Sequence, residues 1–299
     1  MQFGLFTDAI RGVLDKHDLT GGNFHFSESA ANAALQEDWN LAIREFQCFL
    51  KDTLKGTLTE LHVFIESPHV RTLDMPNGRS IHIGILNQQS EDWYGSSQGL
   101  SQFDFLREDE LGLFANCSTF LDLGGHQLIW SVYYAHTSPT ARVYTFEPSP
   151  LNCLVGLFNC LSNGVLDRVQ LIPFAVAADG VAEHEKMLVD FMNVPIRTTS
   201  LSKHIVGPVD FAKIDIEGYE YELLGDRFFC QLLPQLRAAH FELHSGHLTR
   251  RGISTSDCMA ALKRAGCCGV ELHTGVDMYQ FLETCDPKGF HALLLARGQ

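Results

Sequence analysis

Ser118-Thr119-Phe120-Leu121-Asp122-Leu123-Gly124-Gly125-His126-Gln127-Leu128-Ile129-Trp130 is the stretch whose reading decides the fold. A short apolar run ends in an acid and two glycines. It then passes into Leu128-Ile129-Trp130-Ser131-Val132-Tyr133-Tyr134-Ala135, which is long enough for a helix. The pattern predicts a strand, a tight turn and a helix. Glycine at 124 and 125 permits a sharp turn and close approach of a ligand, because no Cβ intervenes. The free N–H groups at the start of the following helix favour a carboxylate or phosphate.

Working outward, Val143-Tyr144-Thr145-Phe146 is a second apolar run and ends in Glu147. An acid at the tip of the second strand is placed to accept from both hydroxyls of a ribose, as in dinucleotide-binding βαβ units. The dinucleotide fingerprint is absent, however. Reading G-x-G-x-x-G from Gly124 puts His126 and Ile129 where the later glycines belong. Without a pyrophosphate cradle, the two acids better suit S-adenosylmethionine, which carries a ribose and an amino-acid tail but no phosphate.

From residue 118 onward strands and helices alternate, which implies a mostly parallel sheet covered on both faces. Strands are expected near 118–123, 142–147, 169–176, 211–215 and 238–244, and helices near 127–136, 150–162, 218–229 and 255–265. Gly269–His273 and His291–Ala296 lie too close for another long crossover helix and read as an antiparallel pair. Over 177–210, where no clear helix reads, Met187–Val189 and Val194–Ile196 suggest a short strand pair near the ligand side.

The N-terminal part has a different character. Phe3, Leu5, Ile10, Val13 and Leu14 predict one short helix, broken at Thr20–Asn23. A longer helix capped by Ser27 or Ser29 carries the stripe Ala31, Leu35, Trp39, Ile43, Phe46, Phe49 and Leu50. This stripe faces either the core or a second copy of the chain, so a homodimer is one expected assembly. Leu61–Ile65 and Val70–Leu73, then Pro76-Asn77-Gly78 and Ile81–Leu86, predict a β-hairpin. A polar loop follows over 87–101. The expected division is an accessory region, residues 1–110, and a catalytic domain, residues 111–299.

Composition excludes several classes. The chain has 299 residues, 45% hydrophobic and 19% charged, ordinary for a globular protein with a sizeable core. A net charge of −14 argues against nucleic acid or an anionic membrane as partner. Nine cysteines without a C-x-x-C pair predict reduced thiols in a cytoplasmic protein, with neither a disulfide framework nor a zinc site. No signal peptide or apolar run of membrane-spanning length is expected.

On these motifs the chain resembles the FkbM-type class I methyltransferases. The matching blocks are the glycine loop from Asp122, Phe146-Glu147-Pro148-Ser149-Pro150, Asn159 with Asn163, and Lys213-Ile214-Asp215-Ile216-Glu217-Gly218-Tyr219-Glu220. Asp92-Trp93-Tyr94-Gly95 and Phe241-Glu242-Leu243-His244 are similar as well. The resemblance covers roughly 90 to 297 and departs at Leu128, where the family has glycine. It implies a Rossmann-like, doubly wound, mostly parallel seven-stranded sheet with an antiparallel last strand, behind the N-terminal helical and hairpin extension. It also implies S-adenosylmethionine as cofactor and a small-molecule hydroxyl as acceptor, in a biosynthetic pathway.

In open α/β sheets ligands bind beyond the carboxyl ends of the strands. The expected cofactor residues there are Asp122, Gly124, Gly125, His126, Gln127, Glu147, Ser149, Phe174 and Ala175. The expected catalytic residues are Asp215, His244, Glu242 and Glu217, with Asp215 or His244 as general base. No metal is expected, although Asp215, Glu242 and His244 form an alternative ligand set. Two rivals remain. One is a catalytically silent scaffold in which the Leu128 side chain fills the methionine pocket. The other is a nucleotide-binding oxidoreductase on a similar sheet.

Overall fold

The computed structural model describes residues 2–19, 26–54, 64–74, 78–95, 114, 116–179, 187–189, 192–271, 275–284 and 290–297. Helix α1 (Gln2–Lys16) turns Phe6, Ile10, Val13 and Leu14 inward, the three-and-four spacing of an amphipathic helix. Ser27 caps α2 (Glu28–Leu35) by accepting from the Ala30 N–H. The long helix expected next is two helices, because α3 spans Trp39–Thr53. Glu37 takes a left-handed φ of 60°, and the Asp38 N–H donates to the Ala33 carbonyl at 2.8 Å. That closes α2 in the six-to-one bond of a Schellman turn. Thr20–Asn23 lies outside the described residues.

β1 (Phe64–Asp74) and β2 (Ser80–Asn87) pair antiparallel, as the hairpin reading expects, with an irregularity between Phe64 and His69. Leu61–Val63 and the turn residues Pro76 and Asn77 are outside the described set. The main sheet begins with β3 (Thr119–Leu123), followed by α4 (Ile129–Thr137), β4 (Arg142–Phe146) and α5 (Pro150–Ser162). Next come β5 (Val169–Ile172) and β6 (Ala175–Val176), which were expected as one strand. Pro173 lacks an N–H and ends the ladder there.

β7 (Met187–Val189) and β8 (Met192–Ile196) form the expected short antiparallel pair, and β9 (Thr198–Thr199) joins β6. β10 (Phe211–Ile214) leads into two short helices, α6 (Glu220–Leu223) and α7 (Arg227–Leu232), where one helix over 218–229 was expected. The Asp226 carboxylate restarts the helix by accepting from the Phe229 N–H at 2.7 Å. The chain continues through β11 (Ala238–His244), α8 (Ser245–Arg250), α9 (Thr255–Arg264), β12 (Cys267–Glu271), α10 (Met278–Thr284) and β13 (Phe290–Arg297).

The seven-stranded sheet runs β12-β13-β11-β10-β3-β4-β5. β10, β11, β3, β4 and β5 are parallel, and β13 lies antiparallel between β11 and β12. This is the expected α/β class, with α10 inserted in the terminal pair. The strand order reverses at β3 and β10, so the crevice for a ligand opens beyond their carboxyl ends.

Two apolar cores flank the sheet. The first joins α1, α2, α3 and β2 to α4 and α5, with Phe46 stacked on Phe158 at 4.7 Å between centroids. Most of the N-terminal stripe is therefore packed within the chain, although Leu35 stays 38% exposed. Asn159 on α5 and Asn163, which caps its C-terminal end, act as a mock strand edge for β2. The Asn159 Oδ1 accepts from the Gly84 N–H at 2.8 Å, and Asn163 bonds both the N–H and the carbonyl of His82. The Asn159 Nδ2 also donates to the Gln127 carbonyl at 2.9 Å, tying the hairpin to the glycine loop.

Candidate active site

The glycine loop is shaped by its neighbours. The N–H groups of Gly124 and Gly125 donate to the Phe146 carbonyl at 2.9 and 3.0 Å, which brings β3 and β4 together at their tips. Gly124 has φ +80°, and a Cβ there would lie 1.7 Å from the Asp215 carbonyl oxygen. A Cβ on Gly125 would meet the Thr145 methyl at 2.2 Å. The two glycines are thus required by the close approach of β4 and of the chain leaving β10.

Asp122 is fully buried, and its Oδ2 accepts from the Ser131 hydroxyl at 2.5 Å. Burial raises its pKa, against the opposing pull of the Lys213 ammonium and the Ser131 bond. Glu147, 5% exposed, clamps two loops. Its Oε2 accepts from the His126 N–H and its Oε1 from the Ser149 N–H, both at 2.8 Å. Burial pushes its pKa up to about 8 despite these two donors. Ser149 caps α5, its hydroxyl accepting from the Asn152 N–H at 3.3 Å.

Leu128 occupies the family's glycine position with a glycine-like φ of 61°. Its side chain is fully buried and points at α5, where a Cβ on Gly156 would lie 2.4 Å from the Leu128 Cδ1. A notch at Gly156 thus receives the leucine.

Across the switch point, Lys213 and Asp215 alternate on one face, as a strand dictates. The Lys213 ammonium, almost fully buried, donates to the Asp215 Oδ2 at 2.7 Å. Burial opposes its charge, but Asp215, Glu242 and Asp122 together raise its pKa above the ordinary value. Asp215 is itself lowered, its burial outweighed by Lys213 and His244. Glu217 follows with a left-handed φ of 53°, then Gly218 with φ 96°, where a Cβ would strike the His247 Cβ at 2.5 Å.

The His244 Nδ1 lies 2.9 Å from the Glu220 Oε1, and its Nε2 lies 3.6 Å from both the Asp215 Oδ1 and the Glu217 Oε2. Burial lowers its pKa, but the Glu220 bond and the surrounding carboxylates raise it to about 9. Glu242 faces the His240 Nε2 at 3.2 Å.

The structure brings Asp215, Glu217 and His244 together, and binds Glu147 to the His126 and Ser149 backbone. Glu242 pairs with His240 instead. Phe174 is buried in the second core with the Lys16 ammonium 5.7 Å above its ring, while Ala175 is half-buried in β6. Sequence reasoning gave little weight to Glu220, whose partner His244 is 24 positions away. It also missed the specific role of Tyr94. That residue is buried, and its hydroxyl lies 2.7 Å from the His126 Nδ1. Burial raises its pKa, as do the carboxylates of Asp215, Asp122, Glu147 and Glu242 around it. The Asp92–Gly95 segment was the available signal. Residues 96–101 of the expected loop are outside the described set.

These groups fit S-adenosylmethionine. The Asp122 Oδ1 and the Gln127 Nε2 are buried beside the glycine loop without a hydrogen-bond partner among the described residues. They supply an acceptor and a donor of the kind needed by the ammonium and carboxylate of a methionine tail. Each Glu147 oxygen keeps a lone pair for a ribose hydroxyl beyond its backbone donor.

No curated protein matches the sequence. Among solved structures, the chain is similar to precorrin-6y C5,15-methyltransferase from Geobacter metallireducens, at 11% identity over 70% of this chain and 96% of that one, TM-score 0.40. It is similar to the O-methyltransferase TomG from Streptomyces achromogenes, solved with S-adenosylmethionine, at 12% identity over 62% and 75%, TM-score 0.36. A ribosomal protein L11 methylase from Lactobacillus delbrueckii matches at 15% identity over 69% and 81%, TM-score 0.40. The methyltransferase FkbM domain model matches residues 122–286, more than half of the chain. The chain belongs to the FkbM methyltransferase family, and its methyl donor is S-adenosylmethionine.

Proposed function

We propose that the protein is an O-methyltransferase acting on a hydroxyl of a small molecule, a secondary metabolite or sugar, in a biosynthetic pathway. The observation that carries the reading is the Asp215 carboxylate at the switch point, kept ionised by the Lys213 ammonium at 2.7 Å and standing 3.6 Å from the His244 imidazole. A proton acceptor there serves a hydroxyl nucleophile, which must lose its proton as it attacks. The net charge of −14 disfavours nucleic acid as acceptor. None of the eight described cysteines is in a disulfide, and the setting proposed for the chain is the reducing cytoplasm.

When bound, the cofactor supplies a sulfonium methyl open to in-line displacement by an acceptor oxygen. The chain's own residues do the rest. Glu147 holds the ribose hydroxyls, with the His126 and Ser149 N–H groups fixing its carboxylate. Asp122 and Gln127 receive the methionine tail, Gly124 and Gly125 shape the loop, and Phe174 with Ala175 borders the adenine side. Asp215 takes the hydroxyl proton beside His244, while Glu217 and Glu242 line the acceptor side. Residues 1–110 serve as the accessory region and 111–299 as the catalytic domain.

Thermal unfolding with S-adenosylhomocysteine tests the cofactor assignment. At ~100 times its dissociation constant the ligand stabilises the fold by about 2.7 kcal/mol, so the melting temperature rises with concentration. No shift in folded protein moves the reading to the silent scaffold. Turnover against a panel of hydroxylated metabolites and sugars tests the chemistry. Asp215→Asn is expected to lower it by ~10²–10⁴-fold while the S-adenosylhomocysteine shift persists. Full turnover in that variant removes Asp215 from the proton path.

A further inference from the structure

We propose that Asp215, Glu217 and His244 form a binding site for one divalent cation of the Mn²⁺ to Zn²⁺ class. The sequence reading expected no metal, and its alternative ligand set used Glu242, which the structure pairs with His240. Glu217 takes that place. One oxygen of Asp215, one of Glu217 and a ring nitrogen of His244 lie within 4.8 Å of one another.

The separations are those of ligands on a common centre. The His244 Nε2 stands 3.6 Å from the Asp215 Oδ1 and 3.6 Å from the Glu217 Oε2. Both are too long for a good hydrogen bond. Two ligands each about 2.0–2.2 Å from one ion are themselves roughly 3–4 Å apart, depending on the angle between them. Imidazole with two carboxylates is a borderline donor set, suited to first-row divalent ions rather than to Ca²⁺.

Observations outside this triad point the same way. Glu220 is fully buried, and its Oε1 fixes the ring by bonding the Nδ1 at 2.9 Å, so the Nε2 is the atom turned to the two acids. A carboxylate behind a histidine is the outer-shell arrangement that orients metal-binding imidazoles. The other Glu220 oxygen is buried without a hydrogen-bond partner among the described residues. Lys213 takes the Oδ2 of Asp215, leaving the Oδ1 directed at His244. The Asp215 and Glu217 side chains are 25% and 49% exposed, so the group opens to solvent on one side. An open side admits a water or a substrate oxygen, as in catalytic metal sites. The ion's use in lowering the pKa of an acceptor hydroxyl rests on the proposed methyl transfer, whereas its binding does not.

Direct titration decides the matter. The full chain, freed of metal with EDTA and dialysed, is titrated with Mn²⁺ while the paramagnetic signal of free Mn²⁺ is followed. One ion is expected to bind per chain. Glu217→Gln, a change at a half-exposed side chain, is expected to weaken binding at least about tenfold, the lower end of what even an outer-shell change costs. His244→Gln should remove binding, and a retained S-adenosylhomocysteine melting shift in each variant shows that the fold and cofactor site survive. Absence of Mn²⁺, Co²⁺ and Zn²⁺ binding to the wild type overturns the site, as does binding unchanged by Glu217→Gln. Ion binding without any S-adenosylhomocysteine shift keeps the site and removes the methyltransferase reading instead.

Discussion

The loops that follow β3 and β10 are built alike and end up chemically opposed. Each carries an acid near its strand end, a glycine with a large positive φ (80° at Gly124, 96° at Gly218), and a non-glycine residue in the left-handed region. In each, the glycine is demanded by a neighbour, the Asp215 carbonyl in one case and the His247 side chain in the other. Yet Asp122 is sealed against Ser131 and raised in pKa, while Asp215 is ion-paired, lowered and a quarter exposed. The register explains the contrast. Asp122 lies opposite Lys213, inside the ladder, whereas Asp215 lies two residues beyond Lys213, past the end of β10. Depth along the strand buries one acid beside the glycine loop and leaves the other open to solvent.

Lys213 holds the two loops to this contrast, so its removal gives the largest expected effect. Lys213→Met leaves Asp215 and Asp122 without their common cation and should cost about 3–5 kcal/mol in chemical denaturation, the scale for breaking a buried pair. A loss below 1 kcal/mol would mean the lysine does not balance them. Leu128→Gly tests whether the first loop is closed by packing. Emptying the Gly156 notch should cost ~2–4 kcal/mol, offset by about 1 kcal/mol from releasing the left-handed leucine. Affinity for S-adenosylhomocysteine should not rise, and a gain would revive the silent-scaffold reading.

Glu147→Ala sharpens the comparison at the ribose end. It should weaken S-adenosylhomocysteine binding by roughly 1.5–3 kcal/mol in calorimetry, the scale of bonds to a charged group. Unchanged affinity would leave Glu147 only its role of clamping His126 and Ser149. The smallest effect is on pH. Burial holds Glu147 near a pKa of about 8, and its ionised form is the better acceptor for ribose hydroxyls. Affinity should therefore climb up to about tenfold from pH 7 to pH 9 and then level off. Glu147→Gln, which cannot titrate, should flatten that profile.

Much of the frame was legible in the residues. Asp122-Leu123-Gly124-Gly125 and Phe146-Glu147-Pro148 announce two strand ends because apolar runs, acids and glycines act locally. Lys213 and Asp215 share a face because a strand has period two. The break at Glu37 was hidden, since the apolar stripe runs on in phase across it. The failure of one strand at Pro173, by contrast, followed from a residue in plain view.

What the sequence determined by itself is the order of strands and helices, the acids at the strand tips and the family. The first two depend on periodicity and on backbone preferences that act over a few residues, and the family on the resemblance carried by the blocks from Asp122 and Lys213. Only the tertiary structure decided that Leu128 turns into the Gly156 notch, that Tyr94 meets His126, and that Glu220 stands behind His244. Each joins residues 24 or more positions apart. Such contacts are set by how helices and the hairpin pack on the sheet, which no local pattern encodes.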